Sequence, residues 1–145
     1  MKSTLLTLVA ALLVASTAHA QKLAVAQVPA ATAATFKKSF PTVKTVKWEK
    51  EGADYEAGFE MGKAEMSAVI TGAGVLKETE TEMAVAQLPA PVKKTLAANY
   101  KTFKIKEAAR ILTAATGITT YEAEISQGGK TRDVLFNADG SEIKK

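Results

Sequence analysis

Apolar and polar residues alternate along much of this chain. Tyr55, Ala57, Phe59 and Met61 alternate with Glu56, Gly58 and Glu60, and Tyr121, Ala123 and Ile125 alternate with Glu122 and Glu124. A period of two marks a strand with one face turned to a core. Met66, Ala68 and Ile70 give a returning strand over 64–71, and 75–82 reads as a polar fourth strand. Val46 and Trp48 belong to an earlier strand over 43–50. Phe103 and Ile105 open a strand that extends to about Ala114, Val134 to Phe136 lies on a return, and 141–144 is the last strand. Glu51–Asp54, Gly62-Lys63, Gly72-Ala73-Gly74, Gln127–Lys130 and Asn137–Gly140 are turn sequences of the kind that join antiparallel neighbours. Elsewhere the period is helical. Phe36 and Phe40 stand four apart, and Val92, Leu96 and Tyr100 share one face. Pro29 and Pro89 start these segments, and Pro41 stops the first.

The pattern occurs twice. Ala24-Val25-Ala26-Gln27-Val28-Pro29-Ala30 returns sixty positions on as Ala84-Val85-Ala86-Gln87-Leu88-Pro89-Ala90. Such a repeat fixes the architecture before anything else. Phe36 and Phe40 correspond to Leu96 and Tyr100 at that spacing. Beyond the first strand the spacing becomes sixty-six: Tyr55 with Tyr121, Phe59 with Ile125, Gly74 with Gly140. The second copy therefore carries six extra residues near 108–117, which a longer first hairpin accommodates. The expected fold is α+β: two tandem units of one helix and four antiparallel strands, with both helices on one side of the sheet and the other face open. Repeat one spans 21–83 and repeat two 84–145, in one compact domain. Units of this size bury too little surface to stand well alone.

The N-terminus sets the compartment. Lys2, the apolar run Leu5 to Ala15 and the small-x-small site Ala18-His19-Ala20 read as a secretory signal peptide over 1–20. The run is too short to span a membrane. The expected product is exported, periplasmic or extracellular, with no membrane association once the leader is cut. No cysteine occurs, so no disulfide supports it. The formal charge of +4 falls to +3 without Lys2, and lysines interleave with glutamates along the sequence. Neither property suggests nucleic-acid binding.

A secretory leader, two units opening on V/L-P-A, a strand with Val46-Lys47-Trp48-Glu49, a Tyr55-Glu56-Ala57 strand and a closing Asp139-Gly140-Ser141-Glu142-Ile143 hairpin resemble the PepSY-like proteins. These are small exported bacterial proteins grouped with the beta-lactamase-inhibitor-like fold. The resemblance covers the whole chain after the leader. It implies a tandem α+β fold with an open sheet face, and binding or inhibition of another exported protein. It supplies no catalytic residues, and repeat two has no tryptophan to match Trp48.

Catalytic chemistry is sparse. The only histidine, His19, lies in the leader, and with no cysteine the remainder lacks the common general base, the thiol nucleophile and the usual transition-metal ligands. Ser67 and Ser126 have no nucleophile elbow around them. Glu56 with Glu60 and Glu122 with Glu124 share strand faces, but opposite the apolar stripe, where water keeps carboxylates ordinary. Asn137–Glu142 lacks the spacing of a calcium loop and reads as a hairpin. The expected function is a non-catalytic exported module, without cofactor or metal, that contacts another exported protein through its open sheet, with inhibition of that protein as one outcome of the contact. The candidate contact residues are Trp48, Tyr55, Glu56, Glu60, Glu122 and Glu124, with the glutamates placed to meet a basic partner. The alternative is a small-ligand or calcium-binding protein using a cleft between the repeats.

Overall fold

The structure, a computed structural model, describes residues 21–144; the expected leader lies outside them. The elements are β1 (Gln21–Leu23), α1 (Ala30–Ser39), β2 (Val46–Glu51), β3 (Asp54–Met61), β4 (Ala64–Thr71), β5 (Leu76–Met83), α2 (Ala90–Asn99), β6 (Lys104–Thr113), β7 (Thr119–Gln127), β8 (Lys130–Asn137) and β9 (Glu142–Ile143). A single 3-10 turn precedes each helix, at Val25–Gln27 and Val85–Gln87. All nine strands form one antiparallel sheet in sequence order. The expected α+β class and the helix-plus-four-strand units are both present.

The strand β1 was not read from the sequence, and its register explains it. Leu23 pairs with Trp48 as Met83 pairs with Ala108, each sixty positions on. So β1 is repeat one's counterpart of the end of β5. The strand β5 has two roles: fourth strand of the first unit and lead-in strand of the second. The six extra residues of repeat two fall near 112–117: they extend the end of β6, which pairs with β5, and lengthen the turn to β7.

Each helix covers its own core. Phe36 of α1 packs with Trp48, Ala57, Phe59, Ala68 and Ile70 of the sheet, and Leu96 of α2 with Tyr100 at its end packs with Ala123, Ile125, Val134 and Phe136. Phe36 meets Trp48 and Phe59 edge-on, at centroid separations of 5.4 and 5.1 Å, an arrangement that adds to simple burial. The helices end where expected: the N–H of Phe40 donates to the Phe36 carbonyl, and that of Tyr100 to the Leu96 carbonyl, both at 2.9 Å.

Two hairpins seat the helices. Gly74 and Gly140, both at φ +84°, lie against the first turns of α1 and α2. A Cβ on Gly74 would stand 2.8 Å from the Ala31 carbonyl oxygen, and one on Gly140 2.6 Å from that of Pro91. No side chain fits either place.

Candidate functional site

The side of the sheet without helices is the candidate site, and strand register assigns residues to it. Tyr55, Ala57, Phe59 and Met61 point to the helices, so Asp54, Glu56, Gly58 and Glu60 point away. Following the pairing outward adds Glu49 and Glu51 on β2, Glu65 on β4, and Glu78, Glu80 and Glu82 on β5. It also adds Glu107 on β6, Glu122 and Glu124 on β7, and Asp133 on β8. Of the chain's fifteen acidic residues, thirteen share this face; the other two are Asp139 and Glu142 (15 − 2 = 13).

Basic residues are distributed differently. Register puts Lys22, Lys47 and Lys104 on the open face, each near a border of the acidic field. Lys77 reaches it by pairing with Asp54 at 2.7 Å. The helices carry Lys37, Lys38, Lys93 and Lys94 and no acid. The interleaving of charges along the sequence thus folds into a partition in space. Strand periodicity is the cause: glutamates at alternate positions reach the same face.

The field is densest at its centre. Glu80 lies on β5, the fifth strand of nine, and its carboxyl is pushed up to about 7. Burial is the largest cause, followed by repulsion from Glu122, Glu56, Glu78 and Asp133. Glu56 is raised by burial, partly offset by a hydrogen bond from Ser67 and reinforced by Glu51, Glu49 and Glu78. Glu82 is raised by burial, then by Glu65 and Glu107. Glu56 and Glu80 therefore depart from the expectation that water keeps such carboxylates ordinary. Neighbouring side chains crowd this part of the sheet and displace solvent from it. Ala109 and Ile111 are buried on this same face.

A concavity of about 630 Å³ lies over repeat one, lined by Lys44, Lys47, Glu56, Gly58, Glu60, Glu65, Ser67, Glu80 and Glu82 among others. Gly58 has no side chain to fill it. A cavity of about 50 Å³ over the neighbouring strands is ringed by Glu80, Glu82, Glu107, Glu122, Glu124 and Asp133. Among the described residues no group of three or more candidate ligands is arranged to hold a metal ion. Asp139 accepts hydrogen bonds from the Ser141 hydroxyl at 2.6 Å and its N–H at 2.8 Å, which tighten the hairpin.

The six expected contact residues divide between the faces. Glu56, Glu60, Glu122 and Glu124 lie together on the open face. Trp48 and Tyr55 do not. Trp48 is 3 % exposed beneath α1, against Phe36. Tyr55 is half-buried at the edge of the same core, with the Lys50 ammonium 3.8 Å from its ring centroid. The correction has a simple cause: Trp48 pairs with Ala57 and Tyr55 with Ile70, both on the helix side. The sequence reading missed Glu78, Glu80 and Glu82. Their alternation with Thr79 and Thr81 is visible, but a strand with few apolar residues gives no sign of which face is which.

The sequence pattern of the family described as "Putative beta-lactamase-inhibitor-like, PepSY-like" matches residues 15–78 and again 69–144. The overlap, 69–78, takes in the start of β5. Several solved structures share the fold. A protein described as among "putative periplasmic proteins" from Bacteroides eggerthii is 17 % identical, with a TM-score of 0.72 over 81 % of this chain and 86 % of that one. A DUF2874 family protein from Bacteroides uniformis is 21 % identical, with a TM-score of 0.71 over 80 % and 86 %. A BLIP-like protein from Bacteroides fragilis is 23 % identical, with a TM-score of 0.65 over 80 % and 84 %. No curated protein matches the chain in sequence. No helix among the described residues is long and apolar enough to cross a membrane.

Proposed function

The chain belongs to the PepSY-like, beta-lactamase-inhibitor-like family, and from that premise we propose that it is an exported, non-catalytic module whose open sheet face contacts another exported protein. One observation carries this reading. The helices cover one side of a nine-stranded sheet, while the other side is left without a layer and bears most of the chain's carboxylates. An antiparallel sheet tolerates such a face in water. An uncovered face of this kind, backed by two cores and carrying a concavity over repeat one, suits contact with a macromolecule. Glu56, Glu60, Glu122 and Glu124 are its contact residues, and inhibition of the partner follows if the contact covers an active site.

The raised carboxyl of Glu80 does not argue for catalysis. The charges that raise it are all acids. Acid–base work needs a second group with an opposing environment, and neither histidine nor cysteine follows His19 in the sequence. Export agrees with the apolar N-terminal run, which supports cleavage after Ala20.

The test is capture from the exported fraction with the purified protein as bait. A partner retained by the native protein and lost with Glu60→Lys/Glu124→Lys supports the reading. Equal retention by both would remove the open face as the contact surface.

A further inference from the structure

The chemistry of the partner can be taken further, on the reading that the open face is the contact surface. We propose that the occupant of this face is a lysine- and arginine-rich protein surface, gripped along β5 where the two repeats join. Three observations meet here. First, the charges are partitioned: the face holds thirteen of fifteen acids, while few basic residues reach it, namely Lys22, Lys47 and Lys104 by register, Lys77 through Asp54, and Lys44 on the wall of the concavity beside Lys47. A chain of net charge +4 thus presents a strongly negative surface on one side only. Second, Glu78, Glu80 and Glu82 run along the central strand, with Glu56 on one flank and Glu107 on the other. Their mutual repulsion is relieved when cations approach and is sustained when they do not. Third, the apolar floor at Ala109 and Ile111 beside these acids is already buried. A partner therefore gains little by inserting an apolar anchor there and more by charge complementarity, which raises the association rate and selects against acidic partners.

Lysine and arginine stems also suit a concave field of half-buried carboxylates. They lay methylene groups on the walls and place the cation at the carboxylate. A divalent cation fits less well, because no group of three ligands among the described residues is arranged for one.

The probes are polylysine and polyglutamate of about twenty residues, titrated calorimetrically into the purified protein at low and at raised salt. Polylysine should bind, weaken by at least about tenfold between about 50 and 300 mM salt, and weaken by about tenfold in Glu78→Gln/Glu80→Gln/Glu82→Gln. Polyglutamate should not bind, and Lys37→Gln/Lys38→Gln on α1 should leave polylysine binding unchanged. A melt of each variant checks that it is folded. Polylysine binding that ignores the β5 triple variant, or no binding at all, overturns the proposal.

The outcome is separable from that of the reading beneath it. A captured partner that protects the open face but is indifferent to salt and to the triple variant rejects the cationic surface alone. A partner that protects the helix layer rejects both. Concentration-dependent self-association of the protein, lost in the triple variant, would make the helix lysines of a second copy the occupant and overturn the separate partner.

Discussion

The Thr95 hydroxyl donates to the carbonyl of Gly140 at 2.8 Å, tying the middle of α2 to the β8–β9 hairpin. Repeat one makes the same bond from Thr35 to Gly74, at 2.6 Å. The threonines stand sixty apart and the glycines sixty-six. The helix-to-hairpin seat has thus been kept in both units although one of them gained six residues. Thr35→Val and Thr95→Val should each cost about 1 kcal/mol. Chemical denaturation of the two single variants checks this.

The glycines in that seat are far less replaceable. Gly140→Ala puts a Cβ 2.6 Å from the Pro91 carbonyl oxygen at φ +84°, so it must shift the helix as well as strain the turn. A loss of about 3 kcal/mol or more is expected. Gly128→Ala, at φ +58° with nothing within 4 Å, should cost only about 1 kcal/mol. Paired thermal melts of the two variants read the difference.

The duplication also predicts a tolerated exchange. Thr32 is fully buried and donates to the Thr71 carbonyl at 2.8 Å. Its counterpart sixty residues on is Val92, also fully buried. The carbonyl matching Thr71 belongs to Asn137, and each of these accepts a turn N–H, from Gly74 and Gly140 respectively, at 2.9 Å. Val92→Thr should therefore find an acceptor and stay within about 1.5 kcal/mol of the native protein. A buried hydroxyl left without a partner would cost more, and a denaturation midpoint distinguishes the two.

Trp48 acts through the core. Trp48→Ala should cost about 3 to 5 kcal/mol by emptying the space beside Phe36. Any loss of partner binding should follow the fraction of protein unfolded. Binding measured where the variant remains folded should match that of the native protein.

The pH dependence of stability has a definite sign. Glu80 titrates near 7 in the folded chain against an ordinary 4.5. Between those values the folded protein holds a proton that the unfolded chain releases. The stabilisation is therefore complete below about 4.5 and lost as pH rises through about 7. Glu80 is only partly buried, so screening leaves about 1 to 2 kcal/mol of the full conversion. Melting should rise as pH falls from about 8 to about 5. Glu80→Gln should flatten that slope and raise the melting temperature at the alkaline end.

Much of this was legible in the sequence, for physical reasons. Alternation around Phe59 and Ile125 disclosed which strand faces are buried, and the sixty-residue repeat disclosed the number and order of units. Three things stayed hidden. The strand β1 is three residues long and has meaning only through its register with β2. Trp48 stands in a strand whose neighbours Lys47, Glu49 and Lys50 blur the period. The acidic row on β5 has no apolar stripe to orient it, and its crowding arises only when β3 to β7 assemble into one sheet. The charge partition is a property of the sheet, formed from segments that look evenly mixed when read along the chain.

The most direct test of the open-face account is carboxylate labelling of the captured complex, read residue by residue with and without the partner. The account predicts that Glu56, Glu60, Glu122 and Glu124 become protected while Lys37, Lys38, Lys93 and Lys94 stay reactive to an amine reagent. Protection of those helix lysines, with the four glutamates as reactive as in the free protein, would contradict it.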